Sequence, residues 1–582
     1  MTFLPTHMSP RALRSASNWP SGMLRLTAVG AVVMLTACAN VTLSTWPDPG
    51  AKPATASPPA PTSGVQPAAG AATAQAVPSS PALTSLPYNP AIEERFPDPA
   101  VRYETPGLSG QRQGFTTQAE VSDWLQSLAS KSQGSGNLLA VANIGTTQRG
   151  TPIQALVATH ATSTQATALN NSARPTVLLV GQQHGDEPAS AEALLIIARE
   201  LAPRGLLEPL LQKINVVIVP RANPDGAETA SRLTADGTDL AKDHLLLSTP
   251  EARALATLIR DYRPAAVVDL REYQAAGIFL QKYQAVQRYD ALLQYANTAN
   301  THEFVTKASR EWFTQALRSA LTQAGLSNEW YYQTSEQMND KSLSMDSVNP
   351  DTLINSSSLK NAAALMVASR GADLGTLHIQ RRVHTLVTAA TSALRMTAEK
   401  AKNLHQVEDF VARDIASQAC RKQLVVEAQP MQEQRTINML QAQSGAEQQV
   451  RVNWTSALQL NNSKTRSRPC GYWLSTSSSQ AAERLRLLGV QVMQVAEAGQ
   501  VLADSYQPAV NTGGSPVLTR GAIEAPVGSF YISLNQAKAH LATAALEPDT
   551  PYSYLNKGAI LTTSDIARVV ATPSVVFEED AD

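Results

Sequence analysis

Two side chains in residues 176–201, TVLLVGQQHGDEPASAEALLIIAREL, have the types and spacing for metal chemistry: His184 and Glu187. On one turn, an imidazole nitrogen and a carboxylate oxygen three residues apart can converge on a single ion, as half of a two-histidine, one-glutamate zinc set. The elements that must hold them are legible around them. Residues 177–180 form an apolar run that fits a buried strand, Gly181 breaks it, and the apolar period from about Ala189 to Leu201 is that of a helix. The pair therefore falls on the turn after the strand's carboxyl end, where side chains face a cleft. A polar loop that only caps the helix would carry the same two residues without a metal.

A second apolar run leads into residues 216–226, VVIVPRANPDG, a buried strand ending in an Asn-Pro-Asp-Gly turn. The two motifs in this order resemble the zinc carboxypeptidase family of the carboxypeptidase A type. That resemblance implies an α/β fold with a mixed, mostly parallel sheet, His184 and Glu187 as the first two zinc ligands, and hydrolysis of C-terminal peptide bonds.

The rest of the family's machinery is altered here. The third ligand is supplied in the family by a strand ending in Asp-x-His-Glu, and the matching stretch is VVDLREY, residues 267–273, with Arg271 in the ligand's place. A guanidinium has five donors and no lone pair, so Arg271 cannot ligate zinc. The family's general base is a Glu on a late strand; MVASRG, residues 366–371, has Ala368 there, and a methyl group takes no proton from water. The Asn-Arg clamp for a terminal carboxylate is matched by TDLAKDH, residues 238–244, where Ala241 replaces the amide and Lys242 the Arg. Lys242 keeps a charge and loses the bidentate fork. Arg232 stands where the family has its carbonyl-polarising Arg, and equally fits a solvated surface residue.

The catalytic set is thus not intact, and zinc is left with an incomplete ligand set. His244, His302, His378 and His384 do not match ligand positions. Consecutive strand residues point to opposite faces, which turns Glu272 away from Arg271 and keeps Asp269 on its side as a supporting partner. With no third lone pair at the site, the Glu187 carboxylate needs a partner, and a bidentate salt bridge from Arg271 to Glu187 in the space of the metal is the expectation, the alternative being an Arg271 that swings out to solvent.

The whole chain has 582 residues, 43% apolar and 16% charged, with a formal net charge of −1. This is enough for two or three domains, and it carries no basic footprint of the kind nucleic-acid binding requires. Arg25, the apolar residues 26–35 and Leu35-Thr36-Ala37-Cys38 have the form of a bacterial lipoprotein signal, with Cys38 the lipidated residue. The apolar run is shorter than the roughly 20 residues that span a bilayer. Met23 begins a more typical signal than Met1, and Ala39 suits sorting to the outer membrane. The chain would then be held at the periplasmic face of the cell envelope by lipid. In that oxidising compartment the two other cysteines, Cys420 and Cys470, are expected to form a disulfide, the alternative being two separate buried thiols.

Composition, pattern and the resemblance together divide the chain into four segments: a signal to residue 38, a Pro/Ala/Ser-rich disordered tether and extended lead-in over 39–114, the domain that resembles zinc carboxypeptidases over 115–411, and a smaller β-rich accessory domain over 412–582. Residues 289–324 read as largely helical and 375–404 as one long closing helix. Three functions are weighed for the altered site: a peptide- or cell-wall-fragment-binding lipoprotein, an active metallocarboxypeptidase with an unrecognised third ligand and base, or a deacylase or amidase of a modified small molecule, which uses the same zinc chemistry and meets the same objection.

Overall fold

The structure is a computed structural model, and it describes residues 88–578 with 111, 113, 135 and 508–516 excepted. Cys38, the signal and most of the tether lie outside the described residues. Ten strands come first in chain order: β1 (Leu138–Thr146), β2 (Pro152–Thr159), β3 (Thr176–Gly181), β4 (Asn215–Val219), β5 (Ala266–Tyr273), β6 (Ala285–Gln287), β7 (Ala291–Tyr295), β8 (Asn328–Trp330), β9 (Leu343–Ser344) and β10 (Ala363–Arg370). Eight of them form one sheet in the order β1-β2-β4-β3-β5-β10-β7-β8.

The four central strands β4, β3, β5 and β10 run parallel, and every residue in them is buried. Strands covered on both faces read as continuous apolar runs, and these do until the polar carboxyl-terminal ends of β5 and β10. One face is covered by the helices Gln118–Lys131, Pro188–Leu201 and Ile379–Glu399, and the other by Pro250–Tyr262 and Leu353–Ser358. This is the expected α/β layering.

The parallel register has a local consequence. Ala368 of β10 is the direct partner of Arg271 of β5, so the two residues that the sequence reading singled out as substituted are neighbours at the carboxyl ends of adjacent strands.

Past residue 417 the chain is β-rich. A long hairpin of β11 (Gln423–Gln441) and β12 (Glu447–Ser467) makes a sheet with two strands of the earlier part, in the order β6-β11-β12-β9. A six-stranded sheet follows from β13 (Gly471–Leu474), β14 (Met493–Gln494), β15 (Gly499–Gln507), β16 (Val517–Ala525), β17 (Phe530–Ser533) and β18 (Ile566–Val569), ordered β14-β17-β13-β18-β15-β16. Cys420 and Cys470 are joined in a disulfide that closes the hairpin's base.

Four boundaries differ from the sequence reading. The lead-in is not merely extended: residues 90–95 and 106–108 are 3-10 turns, and Tyr88, Ile92, Phe96 and Tyr103 are buried, so apolar residues scattered among prolines still find a surface to cover. Residues 291–295 are a strand, because a short apolar run carries no period to tell it from a helix. The closing helix ends at Glu399, and a second, Ala401–Ser417, crosses the expected boundary at 412. The C-terminal part also shares a core with the large sheet: Leu255 and Ile259 lie in one apolar cluster with Tyr472, Leu485 and Phe530.

Candidate active site

Strand β3 ends at Gly181, and three residues later His184 is fully buried on the turn. Pro188 opens the next helix, which leaves Glu187 at the N-cap with φ −113° and ψ 61°. Its carboxylate caps no backbone N–H of that helix; it turns into the site instead. Glu187 Oε1 lies 2.6 Å from His184 Nδ1, and Glu187 Oε2 accepts from the backbone N–H of Glu272 at 3.1 Å. The other ring nitrogen, His184 Nε2, is 2.8 Å from Asp239 Oδ1.

Strand β5 delivers Arg271 to the same point. Its Nη2 is 2.9 Å from His184 Nδ1 and 3.3 Å from Nε2, so the guanidinium lies along the imidazole. Arg271 Nε is 3.8 Å from Glu187 Oε2, and Nη1 is 3.6 Å from Asp346 Oδ2. The expected Arg271–Glu187 pair is present as a single long contact and not as a bidentate fork, because Glu187 is shared with His184 and the Glu272 amide. The guanidinium divides itself between Glu187, His184 and Asp346.

The sequence-predicted rim residues converge here as well. Arg232 Nη1 is 3.8 Å from Glu187 Oε1 and its Nη2 is 3.9 Å from Asp239 Oδ2, while Lys242 Nζ is 3.7 Å from Asp239 Oδ2. The side chains of Arg232 and Lys242 are 49% and 57% exposed, which leaves their outer donors in water. Glu272 points to the other face, pairing with Arg382 at 2.7 Å and accepting from the Ala189 amide at 2.8 Å. Asp269 accepts from Gln183, whose carbonyl oxygen lies 2.6 Å from His244 Nε2.

Charge compensation governs the titration. Burial works against the charged form of His184, yet Glu187 and Asp239 outweigh it and hold the ring's pKa above its usual value. Burial likewise raises Glu187, and His184 with Arg271 pulls it below the ordinary carboxylate range. Asp269 is pushed up by burial to about 6 against the pull of Arg271, and burial takes His244 down to about 3.

A metal would have His184, Asp186 and Glu187, whose ligand atoms all lie within 4.8 Å of one another. A guanidinium already lies against that imidazole and carboxylate, with no lone pair to offer, so the residues present do not fit a catalytic zinc.

The position at which the sequence resemblance expects a general base is closed as well as neutral. Ala368 is fully buried in an apolar cluster with Tyr273, Leu292, Tyr332 and Met345, and with Ile437, Met439, Val452 and Trp454 from the hairpin. Neither Asp239 nor Asp346 was found by sequence reasoning. Asp239 stands in the TDLAKDH motif beside the altered clamp and could have been weighed there; Asp346 follows β9 in an irregular segment without a pattern.

The family model described as zinc carboxypeptidase matches residues 121–244, a span that holds His184, Glu187, Arg232 and Lys242 and ends before Arg271. Carboxypeptidase 2 of Trichophyton rubrum is 26% identical over 400 residues, covering 66% of this chain and 74% of the relative. Carboxypeptidase SOL1 of Arabidopsis thaliana is 34% identical over 112 residues, 17% of this chain and 23% of the relative. Among solved structures, carboxypeptidase A from Helicoverpa armigera aligns with a TM-score of 0.36 at 15% identity, over 50% of this chain and 75% of that one. The match over residues 121–244 and the carboxypeptidase relatives support a zinc carboxypeptidase-type domain in this chain.

Proposed function

We propose that this protein is an exported lipoprotein in which the zinc carboxypeptidase fold serves binding and not hydrolysis, its ligand a peptide or a cell-wall fragment. One observation carries the reading: the guanidinium of Arg271 lies 2.9 Å from His184 and 3.8 Å from Glu187, where catalysis in this family needs a third electron-pair donor. Ala368, buried beneath the hairpin, removes the base as well. Without a ligand and a base, water is not activated. What the site retains is a cationic rim, Arg232 and Lys242, suited to a carboxylate.

The measurement that tests this is the zinc content of the purified protein after dialysis against a weak chelator. A substoichiometric value is expected, and a full equivalent of tightly held zinc sinks the reading. The names of the relatives favour the other function, an active metallocarboxypeptidase. Release of C-terminal residues from peptides, lost on chelation, would establish it.

The anchor is part of the proposal. Cys38 is the lipid acceptor, and the protein faces the periplasm from the outer membrane. Cys38→Ser is expected to accumulate as an unlipidated precursor; incorporation of labelled fatty acid into that variant counts against the anchor.

A further inference from the structure

Away from the His184 site, a cleft of about 200 Å³ opens between the N-terminal turn at Arg95, the Arg288 segment that precedes β7, and the start of the closing helix at Arg381. Its floor is neutral and satisfied. Arg381 holds Asp290 with two nitrogens, at 2.6 and 3.1 Å, and donates to the carbonyl of Pro97 at 2.9 Å. The other two arginines are different. Arg95 and Arg288 share one carboxylate, Glu447 at the start of β12, at 3.5 and 2.9 Å on its two oxygens. Among the described residues, neither has another ion pair.

These three side chains reach into water, with exposures of 43% for Arg95, 26% for Arg288 and 50% for Glu447. An ion pair in that setting contributes little to stability, so the Glu447 carboxylate is easily moved aside. Two guanidiniums aimed at one oxyanion present most of their N–H donors to whatever replaces it. Arg288 is further steadied over the Tyr289 ring, 5.4 Å from its centroid. Three guanidiniums against the two carboxylates Asp290 and Glu447 leave one positive charge in the cleft.

We infer that this cleft binds a phosphate- or carboxylate-bearing small ligand, whose oxyanion displaces Glu447 and is held by Arg95 and Arg288. Paired guanidiniums match the planar or tetrahedral oxygens of such a group. None of these residues belongs to the His184 site, so the inference stands or falls independently of the proposed function.

The test is calorimetric titration of the full chain with inorganic phosphate and, separately, succinate at low ionic strength. Saturable binding of either supports the site, and the preference between them separates a phosphate from a carboxylate source. Arg95→Gln and Arg288→Gln are expected to weaken binding tenfold or more, while Glu447→Gln, by removing the competing carboxylate, tightens it several-fold. Arg95, Arg288 and Glu447 being partly exposed, thermal melting close to wild type verifies that each variant is folded. Absence of saturable binding to both anions overturns the inference. So does weaker binding in Glu447→Gln, which would make Glu447 a structural tie and not a competitor.

Discussion

Arg271 Nη2 stands 2.9 Å from His184 Nδ1, and the same imidazole nitrogen lies 2.6 Å from Glu187 Oε1. The cation of the site is therefore a side chain. It is covalently tied to β5, it has fixed donor directions, and it is paired with carboxylates from two separate segments, Glu187 and Asp346, while Asp239 pairs with the far nitrogen of the imidazole. A metal would gather lone pairs; a guanidinium gathers acceptors, and the carboxylates of Glu187 and Asp346 supply them here.

Removing Arg271 should be costly to the fold. Arg271→Met keeps much of the volume but leaves Glu187, 1% exposed, short of a cation in a dry site. Loss of one partner from a buried charge network costs about 3–5 kcal/mol. Denaturant unfolding is expected to show that loss, and Arg271→Met combined with Glu187→Gln to recover part of it. A single Arg271→Met variant as stable as wild type contradicts the account.

The pH dependence of stability should carry the mark of His540. Burial, first, and the neighbouring Arg468 take its pKa down to about 3, against about 6.5 in the unfolded chain. Between those values the unfolded state binds the extra proton, so stability is flat above pH of about 6.5 and falls as pH drops toward 3. The slope from one such group is about 1.4 kcal/mol per pH unit. His540→Gln, which can still accept from Arg468, is expected to flatten the acid limb in urea midpoints measured from pH 7 to 4. His244, lowered to about 3 in the same way, leaves a residual slope.

Most of the catalytic-type half of the molecule was legible. The buried strands announced themselves as apolar runs broken by Gly or Pro, and His184, Glu187, Arg232, Lys242, Arg271 and Ala368 were each placed by a local motif. What the sequence hid was long-range: nothing in residues 437–454 tells that Ile437, Met439 and Trp454 will lie over Ala368, and nothing near Asp346 tells that it will face Arg271. The lead-in misled because its Pro content signals extended chain, while burial of Tyr88, Ile92 and Phe96 is decided by the surface they meet. The bidentate fork failed for a similar reason, since Asp239 and Asp346 compete for the same cations.

Reduction of Cys420–Cys470 should destabilise the β-rich region. The bridge closes a loop with a sequence separation of 50, for which the chain-entropy model assigns about 4 kcal/mol, an upper figure. Cys420→Ser with Cys470→Ser is expected to lower the thermal midpoint by several degrees. Both thiols found free by mass spectrometry of the non-reduced protein would remove the basis for this.

Arg271→His supplies the missing lone pair and takes away the guanidinium that lies against His184, so the variant is expected to retain up to one equivalent of zinc where wild type retains little. It should not become a peptidase. Adding Ala368→Glu restores a carboxylate in register beside position 271, but places it in a cluster of Tyr273, Tyr332 and Trp454 where an unpaired charge costs several kcal/mol, so the double variant should be less stable and protonated at that Glu near neutral pH. Even with both changes, Ala241 and Lys242 lack the planar clamp for a terminal carboxylate. Zinc by elemental analysis, denaturation midpoints and release of C-terminal residues from a peptide form the readout. Equal zinc in wild type and Arg271→His would show that Arg271 does not govern the site.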